Sequence, residues 1–139
     1  MSYATKSDIE NIFGTANVLR WSNLSTNATT ADADRIGLAI AVAEGQINDA
    51  FRGSRYAVPL RGTAGLPAAV RDWAAKLAGV WLYESRGFKD GAAAEDDDKN
   101  RVRRHRTDAM TDMRAYLCGA RQLECVHSRP QPDSMQVIE

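Results

Sequence analysis

Apolar residues recur at spacings of three and four along most of this chain, the period of an α-helix with one buried face. The clearest stripe is Ile36, Ile40, Ala43, Ile47, Ala50 and Phe51. It predicts a helix over about 31–52, with Ala39 widening the stripe, Asp32 and Asp34 placed to favour the positive end of the helix dipole, and Gly53 as the stop. Gly45 lies inside this helix, either where another backbone comes close or as a surface glycine. A second stripe of Val70, Trp73, Ala74, Leu77, Val80, Trp81 and Tyr83 covers more than half of a helix surface. It predicts the most buried helix over about 67–86, with Pro67 at its first position, where a missing N–H costs nothing, and Gly87 as its end. Val102, Ala109, Met113, Tyr116 and Leu117 predict a last helix over about 95–118, ended by Gly119. Acids open it and bases follow, the order that suits both the dipole and pairing one turn apart. Arg106 falls inside its apolar stripe and has to snorkel or meet an acid.

The N-terminus is weaker. Ile9, Ile12 and Phe13 predict a short helix over about 5–13, with Thr5 or Ser7 as N-cap and Gly14 as the stop. Val18, Leu19, Trp21 and Leu24 suggest a helical turn plugging an apolar edge. Residues 25–30, 61–65 and 88–94 read as loops, and 55–60 as an extended link carrying Tyr56 and Val58 and closed by Pro59. After Gly119 the helical stripe stops, and Pro130 and Pro132 fit an extended tail. The expected fold is therefore all-α: about four helices in a small bundle over 1–119, and a C-terminal tail over 120–139.

Composition changes this picture little. The chain has 139 residues, 44% of them hydrophobic, enough for one domain with a modest core. Lysine plus arginine equals aspartate plus glutamate at 18, so net charge offers no case for a polyanion binder. No apolar run approaches the roughly 18–20 residues of a membrane span, and the first residues lack a signal-peptide layout, which predicts synthesis in the cytoplasm.

Candidate chemistry is sparse. Cys118, Cys125 and His127, with His105 as a distant fourth, match no zinc-site spacing, and reduced thiols are the simpler reading. Trp21, Trp73 and Trp81 could stack on a ligand, but Trp73 and Trp81 are eight residues apart on one helix face, as core packing requires. Asp72 and Glu84 share a helix with nothing to couple them as acid and base. Neither a phosphate loop nor a metalloprotease motif occurs. No cofactor is expected, and the chain is expected not to be an enzyme. Arg101, Arg103, Arg104 and Arg106 form a basic cluster that could meet phosphates, a protein partner or solvent.

Four segments in order carry a family resemblance. They are Tyr3-Ala4-Thr5-Lys6-Ser7-Asp8-Ile9-Glu10-Asn11-Ile12-Phe13-Gly14, Ile47-Asn48-Asp49-Ala50-Phe51, Arg55-Tyr56-Ala57-Val58-Pro59-Leu60, and Leu66-Pro67-Ala68-Ala69-Val70 with the aromatic run from Ala74 to Tyr83. Together they resemble the head–tail connector (head-completion or adaptor) proteins of tailed bacteriophages, of the type in Mu-like phages and prophages. The resemblance implies a structural virion protein at the neck, made in the host cytoplasm. It implies a homo-oligomeric ring of twelve copies under the portal protein, joined to neck and tail-completion proteins, with genomic DNA passing through the lumen unread. On that reading Arg55, Tyr56, Arg101, Arg103, Arg104, Arg106, Arg121 and Arg129 are candidate interface residues. Glu95, Asp96, Asp97 and Asp98 are candidates for the lumen. The tail is expected to order along neighbours on assembly. A small helical nucleic-acid-binding or regulatory protein using the cluster at 101–106 is the alternative.

Overall fold

The computed structural model describes residues 2–23, 29–62, 65–87, 96–121 and 123, except the side chains of 86, 87 and 96–99. Five helices follow in order: α1 (Lys6–Phe13), α2 (Thr15–Ser22), α3 (Ala33–Phe51), α4 (Ala68–Gly87) and α5 (Asp96–Leu117). α4 is the axis of the bundle. α3 and α5 each pack on it, and α1 and α2 cover its remaining sides. The residues that face inward explain why: Val70, Trp73, Ala74, Leu77, Ala78, Val80 and Leu82 of α4 are all buried.

The expected helices at 31–52, 67–86 and 95–118 are present within a few residues. One correction concerns 17–22, expected as a helical turn, which belongs instead to a full two-turn helix over Thr15–Ser22, while Leu24 lies outside the described residues. Gly14 makes this possible. At φ 92° it ends α1, where its N–H donates to the Glu10 carbonyl at 2.8 Å, and it begins α2 at once. Val18 and Trp21 then turn inward and are buried. Thr5, not Ser7, caps α1. Its hydroxyl accepts from the Asp8 N–H at 3.4 Å and the Asp8 carboxylate accepts from the Thr5 N–H at 2.8 Å, a reciprocal capping box. Asp32 caps α3 through its side chain, accepting from the N–H groups of Asp34 and Arg35.

α2 is tied to α3 by Ser22, a fully buried hydroxyl that donates to the Leu19 carbonyl at 3.2 Å and accepts from the Asp32 N–H at 3.1 Å. Gly79 lets α1 approach α4: a Cβ there would lie 2.0 Å from the Phe13 ring. Gly45, by contrast, is a surface glycine, and a Cβ at that position would meet open space.

Candidate interaction surfaces

The link at 55–60 is built around two buried tyrosines. Tyr56 follows the tight turn after α3 and is 2% exposed, its ring edge-on to Phe51 at 5.7 Å. Its hydroxyl accepts from the Leu123 N–H at 2.9 Å. Tyr3 reaches the other end of the link: its hydroxyl accepts from the Leu60 N–H at 2.6 Å and donates to Asn48 Oδ1 at 2.5 Å. The Tyr3 N–H donates to Glu44 at 2.8 Å. The chain start, α3, the link and the segment after α5 are therefore joined by hydrogen bonds that replace water at buried backbone groups. The Val58–Pro59 peptide within the link is cis.

Beyond Gly119 the chain does not leave the body at once. The Arg121 N–H donates to the Ala115 carbonyl at 3.2 Å, folding the chain back over the end of α5, and Leu123 is buried in the main core. Arg121 also donates to Asp112 Oδ1 at 2.9 Å, while the other oxygen of Asp112 accepts from the Trp73 indole N–H at 2.8 Å. One carboxylate thus joins α4, α5 and the return segment. Among the candidate interface residues, Tyr56 is enclosed by these ties and belongs to the interior. Arg55 lies over the Tyr56 ring at 5.2 Å and reaches the Arg121 carbonyl at 3.5 Å. Arg129 and Glu95 lie outside the described residues, as do Cys125 and His127. Asp96, Asp97 and Asp98 are the first three residues of α5, and their side chains also lie outside the described set.

The basic cluster is divided by the helix it sits on. Arg106 and Arg103 both form ion pairs with Glu84 Oε1 on α4, at 2.9 and 3.4 Å. Arg106, inside the apolar stripe, therefore meets an acid, and Glu84 has its partner on α5. Asp72 pairs with Lys76 at 2.9 Å. Arg101 and Arg104 are exposed. The three tryptophans serve the core. Trp73 is fully buried and stacks on Phe51 at 5.7 Å, Trp21 meets Phe13 and Tyr83 edge-on, and Trp81 packs at the core's margin under the Arg35 guanidinium.

His105 is half-buried, its ring edge-on to Phe13 at 4.8 Å, and its Nδ1 is buried without a hydrogen-bond partner. Burial holds its pKa below the ordinary 6.5, helped by the Lys76 charge and opposed by Asp108 and Asp72. Cys118 is exposed, and among the described residues no group of three or more His, Cys, Asp or Glu side chains is placed to hold a metal. No helix among them is long and apolar enough to cross a membrane.

Fold and ties together define a class: a small all-α bundle on one central helix, with its N-terminal helix pair packed on that helix and its C-terminal return tied to α5 and to the link. The chain belongs to the bacteriophage Mu Gp36 family, whose model matches residues 3–138. No curated protein matches it.

Proposed function

We propose that this Mu-like phage protein is a head–tail connector, a non-enzymatic virion component that forms a ring, of twelve copies, between the portal vertex and the neck. The observation that carries the reading is the family match over 3–138, which spans the ordered motifs of the N-terminus, the link and the aromatic helix. The portal protein and the neck and tail-completion proteins are its partners, and DNA passes through its lumen without base contacts. The acidic run at 95–98 lines that lumen in this account, where like charge keeps phosphates from adhering. Arg55, Arg101 and Arg104 are the arginines proposed to face partners. The nucleic-acid-binding alternative is disfavoured by Glu84, which holds two of the four clustered arginines against α4.

Deleting the gene from an inducible prophage tests this. The expected lysate contains DNA-filled or DNA-leaking heads and separate tails, with infectivity restored by adding the purified protein. Intact, infectious virions from the deletion strain would overturn the proposal.

A further inference from the structure

We infer that His105 is an acid-sensitive latch: once protonated, it lets the middle of the α1–α2 pair, from Phe13 to Val18, lift off α4. The device goes beyond the connector reading and does not depend on it.

Phe13 is where the pair meets the rest of the bundle. Its ring lies against Gly79 of α4, where a Cβ would stand 2.0 Å away. It meets Trp21 of α2 at 5.5 Å and His105 of α5 at 4.8 Å, both edge-on. His105 thus braces α1 from α5. The two ends of the pair are fastened by hydrogen bonds, Tyr3 to Glu44, Asn48 and Leu60, and Ser22 to the Asp32 N–H. Between those ends the hold is packing alone. Asn17 donates to the Phe13 carbonyl, Arg20 donates to Asn17, and Lys6 pairs with Glu10, all within the pair. Among the described residues no hydrogen bond or ion pair joins 6–21 to α4 or α5. An isolated helix shorter than roughly 12–15 residues is marginal in water, so α1 and α2, at eight residues each, depend on that packing. Gly14, at φ 92°, is the joint between them.

Neutral His105 suits this place. Its Nδ1 is buried with no hydrogen-bond partner. An imidazolium carries a proton on both nitrogens, so Nδ1–H would face the interior without an acceptor. That is more costly for a charged group than for a neutral one. The charged groups around the ring largely oppose one another. On α4, Lys76 disfavours the imidazolium and Asp72 favours it; on α5, Arg104 disfavours it and Asp108 favours it. Asp72 is itself paired with Lys76. α1 presents Phe13, while its Asp8 is held in the capping box and its Glu10 by Lys6; Arg20 of α2 is held by Asn17. Burial remains the largest influence and acts against the charge. To reach water the protonated ring turns outward, and the brace on Phe13 goes with it. Phe13, Val18 and the notch at Gly79 are then uncovered, an apolar surface closed at neutral pH.

Amide hydrogen exchange of the full-length protein between pH 7.5 and 5, corrected for intrinsic exchange rates, tests this. The probes are the Gly14 and Val18 amides, bonded to the Glu10 and Gly14 carbonyls, with core amides of α4 as reference. The probes should exchange faster than the α4 amides at every pH, the mark of a local opening. That opening should grow more frequent as pH falls below about 6.5, by up to about tenfold per pH unit until the folded His105 value is passed. The break should coincide with the titration of the His105 ring protons seen by NMR. In His105→Gln and His105→Phe, which cannot take the proton, the opening should not change with pH. Probes that open independently of pH while the α4 amides respond would mean that the proton enters only on global unfolding, and would overturn the latch. Probes matching the α4 amides at every pH, or variants keeping the parent's profile, would overturn it too. So would a pair better protected in acid, the result expected of a cation resting on the Phe13 ring.

Discussion

Gly79 and Phe13 show how one missing methyl group sets a helix crossing. The Phe13 ring is held between Trp21 and His105, so it has little room to move aside. Gly79→Ala would gain about 1 kcal/mol of helix propensity. It would lose more to overpacking, which costs about 1–3 kcal/mol. The expected result is a melting temperature lower by several degrees, with part of the loss recovered by Phe13→Leu; additive effects in the double-mutant cycle would contradict a direct clash. His105 gives a residue-scale prediction in pH. Its folded pKa lies below 6.5, so the unfolded chain takes up the proton more readily. The stability linked to this group is thus complete above about pH 6.5 and declines as pH falls through the folded value. Denaturant midpoints measured from pH 7.5 to 5 should fall in the parent and fall less in His105→Gln. Neither the glycine contact nor the histidine's surroundings could be read from the sequence, because both depend on which helices cross.

Among the elements, α3, α4 and α5 were legible because each is long enough for the 3.6-residue period to repeat several times. α2 was not, because eight residues give the period two turns at most and Gly14 reads as a stop although it also starts the next helix. The return of the chain at 119–123 was hidden for a different reason. Its only apolar anchor among the described residues is Leu123, and its main tie is a backbone N–H to a tyrosine hydroxyl 67 residues away in sequence. The link at 55–60 was correctly placed, but its role as an internal fastening depends on Tyr3 and Leu123, which no local pattern connects to it. Tyr56→Phe leaves the Leu123 N–H buried and unpaired, a loss of about 1–3 kcal/mol. Hydrogen exchange should show the Leu123 amide losing protection well before those of α4; equal protection in the variant would contradict the tie.

At the scale of the whole molecule, the described ion pairs are exposed or half-exposed and add little to stability. What they do is hold particular arginines inward: Arg103 and Arg106 on Glu84, Arg121 on Asp112. The family was legible in the sequence because its motifs are local and ordered. The surfaces were less so, since exposure is a property of the folded chain: Tyr56, on a link between two helices, is enclosed, while Leu38 stands exposed on the side of α3 away from its buried stripe.

The central claim is the connector ring on the portal. Mass photometry of the full-length protein mixed with the portal protein of its own phage tests it most directly. The account predicts a discrete complex heavier than the portal by twelve copies of this chain. A portal that keeps its own mass at saturating protein would contradict it.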